Sequence, residues 1–225
     1  MAKLSLAEHM MEQPADGGGE DVGPFVTISR QFGCYGFSLG LLLLEILNDQ
    51  AEEGDVWKIY QREILERLAT ETNMAADIID RERKSRPGMV TDLFRSLRRE
   101  KVPSGYEIRN RITTIIRGLA AEGHAIIVGQ AGASATHDLP NGLWVRLEAP
   151  EEWTAREVAL REGLTEAQAR KRVREMEKER ESLRKIYAKR LPRTPAYHLI
   201  YDCSAFTLAQ IAKHIVAAMK MRGLV

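Results

Sequence analysis

Val26 to Gly36 reads VTISRQFGCYG, and Phe37 and Ser38 then open an apolar helix. A β-branched run, a glycine loop and a helix start form an arrangement that cradles phosphate. Bare N–H groups point into the turn, and the helix N-terminus adds partial positive charge. Set on the template G-x-x-x-x-G-K-[ST], Gln31 takes the first glycine's place and Gly36 the second. Phe37 takes the lysine's place and Ser38 the hydroxyl's. The skeleton of the cradle is present and its cation is not. The same residues also read as a tight strand-to-helix turn with no ligand, and the loop alone does not choose. Cys34 lies in this loop just ahead of a helix N-terminus, which favours a thiolate. The alternative for it is an inert buried thiol.

Two further stretches carry charge suited to an anionic substrate. Arg81 to Lys101, RERKSRPGMVTDLFRSLRREK, holds eight bases against three acids, and Pro87-Gly88 splits it. Glu166 to Arg190 holds ten bases against five acids with few apolar residues. A coiled coil is excluded, since no a/d seam persists. The first stretch reads as an anion patch and the second as a mobile basic lid that barely packs. Solvated helical faces are the other reading of both.

The elements that must position these residues alternate in type. Phe25 to Ser29 predicts a strand, and the helix from Ser38 is apolar on nearly every face, so it should be buried. Asp55 to Tyr60 alternates as a second strand. Gln61 to Asp80 predicts a helix interrupted at Asn73. Tyr106 to Glu122 carries Ile108, Ile112, Ile115, Ile116 and Leu119 on one stripe and ends at Gly123, a C′ glycine. Ala125 to Val128 is a continuous apolar run suited to a central parallel strand, followed by the small-residue loop Gly129 to Gly132. Leu143 to Leu147 is another strand, ended by Ala149-Pro150, and a helix through Trp153 and Val158 follows. Thr165 and Gln168 form a capping box for the long charged helix. Tyr197 to Asp202 is the last strand and Thr207 to Met219 the last helix. Strand–helix alternation with crossover-length helices predicts an α/β fold with a parallel sheet of about five strands flanked by helices.

Composition narrows the function class. The 225 residues carry a net charge of +1, which argues against a nucleic-acid partner. No apolar run approaches the ~20 residues of a membrane span. Met1 to Gln13 lacks the pattern of a signal peptide. Two distant cysteines outside any CxxC suggest no disulfide scaffold, so the expected setting is cytoplasmic. The five histidines have no metal-ligand spacing. Residues 1–23, with ADGGGE at Ala15 to Glu20, read as a flexible and dispensable tail, and residues 24–225 as one domain.

Several motifs together carry a family resemblance. They are VTISRQFGCYG, WKIYQREIL at Trp57 to Leu65, and AIIVGQAGA at Ala125 to Ala133. LEAPEEWTAREVALREGLTEAQA at Leu147 to Ala169, EKERESLRKIY at Glu177 to Tyr187, and the YHLIYDCSAFTL ending complete the set. From Pro24 onward the chain resembles the cytidylate kinase-like family of P-loop nucleotide kinases. The resemblance implies a P-loop nucleotide kinase-like core that binds ATP and Mg²⁺. It also implies a helical insertion near residues 81–105 that holds a nucleoside monophosphate or similar phosphate acceptor, and a basic helical lid near 164–192. By resemblance Arg30, Gly33, Cys34, Tyr35, Gly36, Phe37 and Ser38 surround the ATP phosphates, with Ser38 toward the metal. Tyr60, Gln61, Gly129 and Gln130 fall to the acceptor, and Arg156, Arg161, Arg180 and Lys185 to the transfer itself.

Three departures from the pattern are charge losses: Phe37 stands for a cation, Gln130 for the arginine of Gly-Arg-Gly, and Gln61 for an aspartate. Glu177 replaces an aspartate in the lid and keeps its charge. Two functions follow: a kinase transferring the ATP γ-phosphate, or a catalytically impaired nucleotide sensor or regulatory subunit on the same scaffold. A nucleic-acid partner for the basic stretches is the weakest reading.

Overall fold

A computed structural model describes residues 22–51, 54–72, 76–84, 104–188 and 196–225. The sheet has five strands: β1 (Phe25–Arg30), β2 (Lys58–Tyr60), β3 (Ala125–Val128), β4 (Gly142–Glu148) and β5 (Leu199–Asp202). Their order is β2-β3-β1-β4-β5, and every pairing is parallel. The helices are α1 (Gly36–Gln50), α2 (Glu63–Thr72), α3 (Ala76–Lys84), α4 (Gly105–Glu122), α5 (Gly132–Thr136), α6 (Glu151–Glu162), α7 (Glu166–Ala188) and α8 (Leu208–Met221).

The apolar strands are continuous because both faces of the sheet are covered. Val26 and Ile28 of β1 and Ile126 and Val128 of β3 face one core, with Leu39 and Leu43 of α1 and Ile211 and Ile215 of α8. Phe25, Ala125 and Ile127 face the other, with Leu68 of α2, Ile79 of α3, and Ile112 and Ile116 of α4. α4 starts at a full capping box: Glu107 N–H donates to Ser104 Oγ, and Ser104 N–H to the Glu107 carboxylate. It ends at Gly123, whose φ of +80° admits no side chain without strain. The box at Thr165 and Gln168 is likewise formed.

Several bounds differ from expectation, each for a local reason. The second strand begins at Lys58, not Asp55. Its one neighbour β3 starts opposite, at Ala125, so Asp55 to Trp57 have no ladder to join. Trp57 is instead tied by both backbone groups to the Asn48 side chain and buried. β5 begins at Leu199, leaving Tyr197 free of the sheet. α1 is buried on one face, through Leu39, Gly40, Leu43 and Leu47, while Phe37 and Leu41 are exposed. Only one of its faces meets the sheet and α8. Val22 and Gly23, read as tail, are docked: the Val22 carbonyl accepts from Asn141 Nδ2 and its side chain packs against the core with Phe25, while Gly23 N–H donates to Ala121 O. The rest of the tail, the interruption at Asn73 and most of Arg81 to Lys101 lie outside the described residues.

Candidate functional site

Two features converge at the carboxyl ends of β1, β3 and β4, where the strand order reverses and α/β sheets bind ligands. The first is the loop from Gln31 to Tyr35. Gly33 has φ +98° and lies against Thr154 of α6, so a side chain there would both strain and clash. Tyr35 donates to Glu157 Oε2 at 2.7 Å and meets Trp153 edge-on. α6 thus braces the loop from one side. Gly36 begins α1 against the aliphatic stem of Arg30. Ser38 is exposed on the first turn of α1. Phe37 is 41% exposed and takes no place in the core.

The second feature is a cavity of about 230 Å³ beside the loop. Arg30, Arg83, Lys84, Arg146, Arg180 and Arg184 line it, against two acids, Asp80 and Glu179. Most of these cations have partners. Arg83 and Lys84 pair with Asp80, and Lys84 also with Glu179 of α7. Arg146 donates to Glu148 at 2.7 Å, and its guanidinium lies 5.6 Å from the Tyr197 ring centre. Arg30 has no ion pair or side-chain hydrogen bond among the described residues. Its guanidinium lies against Gly129, whose missing side chain leaves the space. Burial, then the charges of Arg180 and Arg83, lower its pKa to about 10, with Glu177 opposing. Arg180 is lowered too, first by burial.

The loop after β3 shapes the cavity floor. Gly129, Gln130 and Ala131 all have positive φ. Gln130 Oε1 accepts from Arg83 at 2.5 Å, and Arg109 of α4 holds the Arg83 carbonyl at 3.0 Å. An arginine therefore still reaches this loop, from α3 instead of from position 130.

α7 closes over both features. Phe32 N–H donates to Glu177 Oε1 at 2.6 Å, and Arg180 donates to the Arg30 carbonyl at 3.1 Å. Ala169 and Val173 of α7 bury against Val158, with Phe32 packed beside them. The helix packs more firmly than its sparse apolar content suggested, because Ala169 and Val173 meet α6 and the loop while Met176, Leu183 and Tyr187 line the cavity.

The structure brings together Arg30, Gly33, Gly36, Gly129, Gln130, Arg161 and Arg180. It does not bring in Lys185, which is exposed and paired with Glu181, or Arg156, exposed on α6. Tyr60 packs in the core under α4, and Gln61 donates its amide N–H to Glu63; neither lines the cavity. Of the two readings of Cys34, the structure favours the buried thiol: interaction with Cys203, then burial, push its pKa up, away from the thiolate. Sequence reasoning missed Arg146, Arg184, Lys84 as a cavity cation, and Tyr197. Arg146 did leave a signal: a lone arginine inside the apolar strand GLWVRLE. Among the described residues no group of three or more His, Cys, Asp or Glu could hold a metal ion. Ser38 is the hydroxyl that could touch one carried in on phosphates.

A parallel α/β domain whose glycine loop and arginine cavity meet at the carboxyl ends of its central strands is built like a nucleotide kinase. The model of the cytidylate kinase-like family matches residues 25–205. The chain belongs to the cytidylate kinase-like family. Among solved structures it is similar in fold to an uncharacterized protein from Eubacterium ventriosum ATCC 27560. The TM-score is 0.63 at 20% identity, over 88% of this chain and 98% of that one. A shikimate kinase from Acinetobacter baumannii in complex with shikimate matches at TM-score 0.48 and 13% identity, over 91% and 97% of the two chains. TT1252 from Thermus thermophilus matches at 0.44 and 15%, over 88% and 98%. Comparison with curated proteins finds no match. No helix among the described residues is long and apolar enough to cross a membrane.

Proposed function

We propose that the chain is a nucleotide kinase-like phosphotransferase. It holds the ATP phosphates at Gln31 to Ser38 and a nucleoside monophosphate, or a similar small phosphate acceptor, in the arginine cavity. One observation carries the reading. Arg30 is a half-buried guanidinium without a counter-ion among the described residues, and Arg180 and Arg83 bear on it with like charge. A partly desolvated charge of this kind is costly until an anion completes it. An acceptor phosphate would do so.

In the reaction an oxygen of the acceptor phosphate attacks the γ-phosphorus of ATP. The new P–O bond forms as the bond from the γ-phosphorus to the β–γ bridging oxygen breaks, and ADP leaves with that electron pair. Catalysis here is positioning plus neutralisation of the moving group. Arg180 reaches from the cavity to the Arg30 carbonyl at the loop, which supports a role for it on the moving phosphoryl group. Arg161 flanks the loop at Tyr35. Mg²⁺ carried on ATP, with Ser38 as its protein hydroxyl, would neutralise further charge.

The exposed Phe37 favours a second reading, a non-catalytic nucleotide sensor or regulatory subunit. Titration calorimetry with MgATP and with cytidine monophosphate, followed by a coupled assay over several nucleoside monophosphates, tests both. The expected result is acceptor binding that Arg30→Met abolishes, and slow transfer. Phe37→Arg should tighten ATP binding and raise turnover by about 10²-fold, the usual worth of one transition-state contact. Binding with no turnover in either form would leave the sensor reading. Absence of nucleotide binding would overturn both.

A further inference from the structure

We infer that Phe32 is a positioning residue whose ring gathers three arginines at the rim of the phosphate loop, restoring from outside the loop the positive charge that Phe37 lacks. The inference rests on the nucleotide reading above for its ligand. Its geometry does not.

The guanidinium carbons of Arg161, Arg172 and Arg180 lie 5.5, 5.8 and 5.3 Å from the centre of the Phe32 ring. All three are within the range at which an aromatic face attracts a cation. They come from two helices. Arg161 is in the last turn of α6, while Arg172 and Arg180 are eight residues apart on α7. Eight residues span about 12 Å of helix axis, so the latter two must lean toward each other to share one ring. Like charges do not converge in this way unless something between them is attractive.

The available acids only partly account for it. Glu162 lies 3.2 Å from Arg161 and 3.6 Å from Arg172, and Glu177 lies 3.9 Å from Arg180. Two carboxylates serve three guanidiniums, Arg180 also donates to the Arg30 carbonyl, and the Phe32 ring is the partner that all three share. Phe32 is fixed in turn. Its amide is bonded to Glu177, and its ring packs beside Val158, Ala169 and Val173. The arginines therefore sit over a post that belongs to the loop itself. Arg161 also lies 5.6 Å from the Tyr35 ring, on the same loop. A polyphosphate entering the loop would meet this charge at its rim, in place of a cation at position 37.

A leucine can fill the space beside Val158 and Val173 but cannot attract guanidinium. A tyrosine keeps the aromatic face. Phe32→Leu and Phe32→Tyr should be compared with the parent by titration calorimetry, using inorganic tripolyphosphate as the probe, at low salt and at 0.3 M salt. Phe32→Leu is expected to weaken binding about tenfold at low salt, less at high salt, while Phe32→Tyr stays within about twofold. Tripolyphosphate binding by Phe32→Leu equal to that of the parent would overturn the inference and leave the nucleotide reading standing. Equal weakening by Leu and Tyr would reduce Phe32 to a packing residue and overturn it too. A parent that binds no tripolyphosphate would defeat the nucleotide reading and this inference with it. Should Phe32→Leu fail to fold, the half-exposed Arg172→Met gives the same test, with about threefold weakening expected and none overturning it.

Discussion

Arg30 shows how one residue sets stability against function. Burial and the charges of Arg180 and Arg83 lower its pKa to about 10, below the ordinary arginine range. A base whose folded value is depressed destabilises the charged folded state. That penalty is fully present below about pH 10 and is relieved as pH rises above it. Arg30→Met keeps the stem that packs on Gly36 and removes the charge. It should stabilise the ligand-free protein near pH 7 by about 1–3 kcal/mol, or roughly 2–6 °C in Tm, while losing acceptor binding. The gap between variant and parent should shrink above pH 10; a gap that widens there would show that desolvation is not the cause. Cys34 makes the opposite case, a residue that looks reactive in sequence and is inert in place. Bonded to Cys203 and buried, it should resist iodoacetamide in the native protein and label fully in denaturant, with MgATP making no difference. Fast native labelling that ATP blocks would return it to the phosphate site.

Among the elements, α7 does the most to join the two halves of the site. Glu177 ties it to the loop through Phe32 N–H, and Glu179 ties it to Lys84 of α3. The Glu177 contact carries a cost for an anionic ligand, because it sets a carboxylate beside the cradle. Its charge is felt at Arg30, Cys34, Arg146 and Arg180. Glu177→Gln keeps an oxygen to accept the Phe32 amide and removes the negative charge. Tripolyphosphate should then bind about threefold to tenfold more tightly, worth roughly 1 kcal/mol. Binding should also be more salt-sensitive than in the parent, because salt screens the larger net attraction. Weaker binding would mean that Glu177 orders the arginines more than it repels the ligand.

For the whole molecule, the boundary of the domain is the testable quantity. Val22 packs against the core with Phe25 and its carbonyl is held by Asn141, while Gly23 lies against Gly123 at the far end of the sheet from the site. A chain beginning at Pro24 loses these contacts; one beginning at Val22 does not. The first should melt several degrees below the second, by about 1–2 kcal/mol for a buried aliphatic and a backbone pair. Equal melting temperatures would show that the first two docked residues contribute nothing.

By itself the sequence determined the parallel sheet, since runs such as AIIV can be apolar on every residue only where helices cover both faces. It also determined the capping box at Thr165 and Gln168, the glycine loop and the two basic stretches, all of which are local in the chain. The tertiary structure decided which charges meet. Arg83 reaches Gln130 across 47 residues, and Arg180 reaches Arg30 across 150. Arg146 enters the cavity because β4 pairs with β1 in a register that sets it beside Ser29. It also decided what falls out of the site: Lys185 and Arg156 share a helix with useful neighbours but face solvent. Periodicity places a side chain on its own helix or strand. A site assembled from five elements depends on how those elements are set against one another, and sequence spacing carries no term for that.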